Sequence, residues 1–288
     1  MKNILLPTDF SENSWNAIKY AINFFEDETC NFYILHINLI NKVLMDDSAY
    51  VATDDLIEDI FLKPSRKKLR HLLKQIVLEF PKNKNHKFNI LTDYNFFIDA
   101  IRKTVQDHQI DLIVMGTKGA TNYNRIRIGS HTGDVFTKVK CPTLAIPLEA
   151  RFSKPKTIAF PSDFTLHYNL NLLNPLNDIL KKDKALLSIV HISKSAVHLN
   201  KDQEKNKALL DDYFNAVPHE FKYLNAKNTE EAIQCFTESR NVDLICMVAK
   251  NLNYFQQLLF QSTITSVSYH TKIPFLVLHE NTFIKTAI

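Results

Sequence analysis

The 288-residue chain predicts an α/β protein built from two tandem units, each an open, twisted, five-stranded parallel sheet with helices on both faces. Three observations carry that expectation. Short apolar runs alternate with stretches of helical period. The chain also repeats itself. Asn3-Ile-Leu-Leu-Pro7-Thr8-Asp9-Phe10-Ser11 matches Thr157-Ile-Ala-Phe-Pro161-Ser162-Asp163-Phe164-Thr165, and Ile110-Asp111-Leu-Ile-Val-Met115 matches Val242-Asp243-Leu-Ile-Cys-Met247. Cys141-Pro142-Thr-Leu-Ala-Ile146 matches Ile273-Pro274-Phe-Leu-Val-Leu278, so three matches stand in one order. Finally, all four glycines (Gly116, Gly119, Gly129 and Gly133) fall in one short segment, where an average chain of this length spreads roughly 20 throughout.

The first unit reads as strands at about 3–7, 31–38, 87–91, 110–115 and 143–147. Trp15, Ile18, Ile22 and Phe25 recur at helical spacing after Ser11, a good N-cap. Leu69, Leu72, Leu73, Ile76, Val77 and Phe80 mark a second helix; Phe97, Ile98, Ile101 and Val105 a third; Val135, Phe136 and Val139 a fourth. Strands separated by helices imply parallel pairing and right-handed crossovers. The second unit repeats the strands at about 157–161, 185–191, 220–225, 242–248 and 275–279. Pro175 lies inside its expected first helix and predicts a kink or break. The units span 1–149 and 155–281, with the polar segment 149–156 between them. Residues 39–54 show no period and read as an excursion.

Hydrophobic content of 45% and charged content of 23% are those of a soluble globular protein. No apolar run reaches the roughly 18 residues of a membrane helix, and the amino-terminal apolar run is too short for a secretory signal. Cys30, Cys141, Cys235 and Cys246 lack CxxC spacing and read as buried thiols in a reducing cytoplasm. A net charge of +4 does not argue for nucleic acid or an anionic membrane.

Gly116 and Gly119 end the fourth strand, and Gly129-Ser130 opens a helix. Glycine serves where φ is positive or where something must approach the backbone closely. Free N–H groups and the dipole at a helix start attract an anion. Ser130 can cap that helix, Thr132 offers a hydroxyl in its first turn, and Lys118, Arg125 and Arg127 add positive charge. The first strand ends on the same rim at Pro7-Thr8-Asp9, where Asp9 can reach a ribose or base edge, or help hold a metal. The pattern is neither GxxxxGK[ST] nor GxGxxG. The alternative is that the glycines serve a tight turn alone.

On Gly116/Gly119/Gly129-Ser130, a Gly-x2-Gly-x9-Gly-Ser spacing, and on Pro7-Thr8-Asp9-Phe10-Ser11, the chain resembles the universal stress protein family, as a tandem member. The resemblance implies strand order 3-2-1-4-5 and an adenine nucleotide held at the carboxyl rim. Ribose and phosphates fall to Met115, Gly116, Gly119, Gly129, Ser130, His131 and Thr132; the adenine side falls to Pro7, Thr8, Asp9 and Ile37. His131 departs from the small apolar residue common there. The implied ligand is ATP, with ADP and AMP as alternatives and Mg as its ion. The implied role is sensing or regulation in stress response through a protein partner. The family pairs through its last strand, implying an intramolecular pseudo-dimer, with further pairing of chains into homodimers.

In the second unit Val248 stands opposite Gly116, Asn251 opposite Gly119 and Gln261 opposite Gly129; only Ser262 matches Ser130. Val at positive φ is disfavoured, and Leu252, Tyr254, Phe255, Leu258, Leu259 and Phe260 make the segment bulky. This unit is expected not to bind nucleotide in the family manner, with Asp163 serving as a turn residue. The basic run Lys63, Arg66, Lys67, Lys68, Arg70, His71 and Lys74 reads as a solvated helix face. His36 and His191, at equivalent strand ends, read as packing or hydrogen-bonding residues rather than metal ligands. Asp9, with Asp134 second, is the metal candidate, and no dedicated base is apparent, so a non-enzyme is expected, with room for slow hydrolysis. The competing reading is a scaffold that binds no nucleotide and acts through its surfaces.

Overall fold

The structure, a computed structural model, describes residues 1–39, 54–80, 83–117, 130–165, 169–193, 198–227, 229–251 and 272–279. The first unit runs β1 (Lys2–Pro7), α1 (Glu12–Phe24), β2 (Cys30–Leu39) and α2 (Asp54–Ile57). A π-helical turn at Glu58–Leu62 leads into α3 (Lys63–Glu79), followed by β3 (His86–Asn95), α4 (Phe97–Asp107), β4 (Leu112–Gly116), α5 (Ser130–Lys138) and β5 (Thr143–Ile146). The second unit runs β6 (Thr157–Pro161), a 3₁₀ turn at Leu170–Leu173, α6 (Asn174–Asp183), β7 (Leu186–Ser193) and α7 (Lys201–Tyr213). It continues with β8 (His219–Asn225), α8 (Thr229–Ser239), β9 (Leu244–Val248) and β10 (Phe275–Leu278).

All ten expected strands are present. Each unit has the order 3-2-1-4-5, and the two join edge to edge in the order β3-β2-β1-β4-β5-β10-β9-β6-β7-β8. The two sheets are therefore one ten-stranded sheet. Pairing is parallel within each unit. At the join β10 runs antiparallel to β5, with Phe275 opposite Ala145 and Val277 opposite Thr143. The pseudo-dimer implied by the last-strand pairing is thus built within one chain, and the join removes two open strand edges.

The helices cover both faces. On one face, Ile18 of α1, Leu72 of α3, Leu176 of α6 and Leu210 of α7 share a core with Leu144 and Leu276 from the two joining strands. This core crosses the join without a break. On the other face, Ile101 and Val105 of α4 pack with Val135 and Val139 of α5. Ile233 and Phe236 of α8 pack with Phe136 of α5.

Local chemistry sets the element ends. Ser11 caps α1, its hydroxyl accepting from the Ser14 N–H at 3.2 Å. Pro175 breaks the first helix of the second unit as expected: the chain makes a 3₁₀ turn, then starts α6 with Pro175 in its first turn, where no N–H is needed. The segment between the units is held down. Asn16 donates to the carbonyls of Pro147 and Ala150, both at 3.0 Å, and the Phe152 ring packs edge-on against Tyr20. The basic run lies on the exposed side of α3, with Arg66 half-buried against Glu58 and the exposed Lys63 paired with Asp59. Cys30, Cys141 and Cys246 are buried thiols, and burial pushes that of Cys30 up to about 11. Cys235 is exposed, contrary to the expectation of four buried thiols; its place on the outer side of α8 carries no strong apolar signal.

Candidate functional site

The first unit's sheet changes direction between β1 and β4. From β1 the chain winds outward to β2 and β3, then returns to β4 on the other side. Helices leave in opposite directions there, opening a crevice at the carboxyl ends of the strands. Pro7 ends β1, Thr8 and Asp9 follow it into this crevice, and Met115 and Gly116 end β4 beside them, through the pairing of Ile4 with Leu112 and Leu5 with Ile113. Ile37 lies farther out on β2, half-buried among the side chains under α4.

The β1 end is a tightly bonded turn. Phe10 sits at φ 64°, unusual for an aromatic residue. Local hydrogen bonds offset the strain. The Asp9 carboxylate accepts from the Ser11 N–H at 3.0 Å and from its hydroxyl. The Phe10 N–H donates to the Thr8 hydroxyl oxygen at 3.0 Å, and that oxygen lies 3.0 Å from the Ser14 hydroxyl. The Nδ1 of His36 donates to the Thr8 carbonyl at 2.8 Å, and its ring lies against Phe10 at 4.5 Å. Burial lowers the His36 pKa, opposed by the Thr8 carbonyl, so the ring is neutral near pH 7. The Lys68 ammonium stands 5.6 Å from the Phe10 ring and brings positive charge to the rim.

The same device recurs in the second unit. Phe164 has φ 57°; Asp163 accepts from the Thr165 N–H at 3.0 Å and Ser162 from the Phe164 N–H at 3.1 Å. His191 reaches the Ser162 carbonyl at 3.0 Å and stacks on Phe164. The two histidines do share one hydrogen-bonding and packing role, and both aspartates shape a turn. Asp9 is exposed at the rim while it does so.

Gly116 meets a different demand from the one anticipated. Its φ is not positive. A Cβ there would lie 2.6 Å from Nδ2 and 2.8 Å from Cγ of Asn13, a buried residue in the first turn of α1. The glycine admits the protein's own helix, so the positive-φ argument against Val248 does not apply. The residues that correspond to Asn13 in the second unit, 166–168, lie outside the described residues. Thr132, also expected to offer its hydroxyl to a ligand, is buried, and that hydroxyl donates to the Gly116 carbonyl at 2.9 Å. This bond fixes the first turn of α5 against the end of β4. Ser130 is the first residue of α5. The exposed His131 stacks its ring on Phe97 of α4 at 4.2 Å, which accommodates the departure from a small residue.

Gly119 and Gly129, with Lys118, Arg125 and Arg127, lie outside the described residues, as do most of 39–54 and the segment from 252 to 262. Among the described residues the crevice brings together Pro7, Thr8, Asp9, Met115, Gly116, His131 and Thr132. Sequence reasoning missed Phe10, Asn13 and Ser14 as parts of the rim. The repeat of Thr8-Asp9-Phe10-Ser11 as Ser162-Asp163-Phe164-Thr165 was the available signal for the first. No group of three or more potential metal ligands occurs among the described residues, and no helix there is long and apolar enough to cross a membrane.

A family model described as the universal stress protein family matches residues 1–147 and 177–279. The chain belongs to the universal stress protein family. Two curated universal stress proteins of Methanocaldococcus jannaschii match it, one 29% identical over 156 residues and one 27% identical over 150. Each alignment spans 50% of this chain, and they cover 94% and 81% of the relatives. A solved universal stress protein from Archaeoglobus fulgidus superposes with a TM-score of 0.64 at 17% identity, covering 96% of this chain and 97% of that one. A putative universal stress protein from Pseudomonas aeruginosa gives 0.55 at 10% identity, over 96% of this chain and 93% of that one. The universal stress protein fold thus extends through both units.

Proposed function

We propose that the first unit of this universal stress protein binds an adenine nucleotide, ATP foremost and ADP or AMP as alternatives, at the crevice between β1 and β4. Pro7, Thr8, Asp9 and Ile37 serve the base side. Met115, Gly116, Gly119, Gly129, Ser130, His131 and Thr132 serve ribose and phosphates, Gly116 and Thr132 by shaping the backbone at the β4 end. Mg is the ion that would accompany the phosphates. The observation that carries the reading is the end of β4 at the switch point beside the start of α5, joined by the Thr132 bond to the Gly116 carbonyl, where first-turn N–H groups favour an anion. Bound nucleotide then acts as a signal in stress response, read by a protein partner in the cytoplasm, without rapid turnover.

A second reading has one observation in its favour: the Asn13 approach accounts for Gly116 with no ligand. In that case the chain is a scaffold acting through its surfaces. Equilibrium dialysis of ATP against the wild type and Gly119→Val separates the two. Binding by the wild type and its loss in the variant is the expected result. No binding, or equal binding by both, favours the scaffold. Equal occupancy of both units would overturn the expectation that the second does not bind nucleotide.

A further inference from the structure

On the helix face that crosses the join, α1 and α6 flank a half-open cavity of about 330 Å³ beside β4, β5 and β10, with Asn174 and Asp178 exposed at its edge. That is the size of a small-molecule pocket. It lies away from the crevice of the first unit, and the inference drawn from it is independent of the nucleotide reading. The repeat that sets Asn3 on Thr157 and Pro7 on Pro161 also sets Tyr20 on Asn174, Phe24 on Asp178 and Glu28 on Lys182. The antiparallel join relates these positions by a pseudo-two-fold axis, so the cavity has a mirror position on the other side.

That mirror position is filled. The Phe152 ring packs at 5.3 Å against Tyr20 and 6.2 Å from Phe24. At the cavity, Asn174 stands in place of the Tyr20 ring and Asp178 in place of Phe24. Aromatic filling has given way to space edged by charge. The Lys182 ammonium donates to the Phe24 carbonyl at 2.9 Å and lies 3.2 Å from Glu28. The Lys2 ammonium lies 2.8 Å from Glu28 and 3.8 Å from Asp178. Ile179, Leu144 and Leu276 supply an apolar floor. A space edged this way is not one that stays dry. An anion entering it meets carboxylates, a cation meets ammoniums, and a molecule carrying both charges matches both.

We propose that this cavity binds a small zwitterion of amino-acid size. Its carboxylate meets the Lys2 and Lys182 ammoniums, its ammonium meets Asp178, and its side chain lies on Ile179, Leu144 and Leu276.

Titration calorimetry of the full chain with L-leucine and L-phenylalanine, and with phenethylamine and 3-phenylpropionate as single-charge controls, tests this. Saturable binding of at least one amino acid is expected, with both controls weaker by about tenfold or more. Asn174→Tyr places here the ring that Tyr20 supplies at the mirror position and is expected to weaken binding about tenfold or more. Asp178→Asn keeps the shape and is expected to weaken binding about tenfold; it decides the matter if Asn174→Tyr does not fold. Lack of saturable binding by either amino acid, equal binding of the controls, or unchanged binding in the variant would overturn the proposal.

Discussion

His279 shows what one buried side chain can contribute to pH sensitivity. It follows β10, is 9% exposed, and its Nε2 has no hydrogen-bond partner among the described residues. Burial lowers its pKa to about 4, opposed by the Phe136 carbonyl of α5. A depressed histidine pKa means the unfolded chain takes the proton first. Between its ordinary value near 6.5 and about 4, protons bind more to the unfolded state, so stability falls as pH falls through that window and levels off below it. The contribution is on the order of 3 kcal/mol. His279→Leu is expected to lose this component: urea unfolding at pH 7 and pH 4 should show a smaller stability difference than in the wild type. An unchanged difference would mean that His279 takes up its proton at the same pH in both states.

The contact between α1 and β4 makes Gly116 obligatory at the level of elements. The first turn of α1 seats Asn13 on the end of β4 so closely that a Cβ at Gly116 would also lie 3.2 Å from the Asn13 backbone carbonyl carbon. Gly116→Ala is therefore expected to destabilise by about 1–3 kcal/mol, as overpacking in a filled core does. In an Asn13→Ala background the cost should shrink, because the nearest atoms are then gone, and urea unfolding of the four proteins measures that coupling. Equal costs in both backgrounds would place the strain elsewhere. The same contact shows what a sequence can reveal. β4 reads as an unbroken apolar run because it is buried on both faces, and all five of its residues are. β3 is an edge strand with no fully buried residue, and its sequence reading at 87–91 stops short of the observed 86–95. The parallel strand order put Thr8 and Gly116 on one rim, with Thr132 in the helix turn that follows, and the family resemblance added Met115. Neither could show that Gly116 yields to Asn13 or that Thr132 bonds to Gly116, since those contacts join residues far apart in sequence and leave no local pattern. Pro175 was legible because its missing N–H acts on its own turn.

At the scale of the whole molecule, the β5–β10 ladder and the core spanning α1, α3, α6 and α7 leave no apolar boundary at which the two units could part without exposing Leu144 and Leu276. The chain is therefore expected to unfold as one body. Its single tryptophan makes this testable: Trp15 lies on α1 in the first unit, packed against the shared core. Leu187 is fully buried in β7 of the second unit, three strands from the join. Leu187→Ala is expected to cost about 2–5 kcal/mol. If the units are coupled, the Trp15 fluorescence midpoint in urea shifts with the far-ultraviolet circular dichroism midpoint, and by the same amount, although the substitution touches nothing near Trp15. If they are independent, the fluorescence midpoint stays in place and the dichroism transition splits in two. The first outcome would also give a nucleotide held in one unit a thermodynamic path to the other, because binding that stabilises the first unit then stabilises the whole chain.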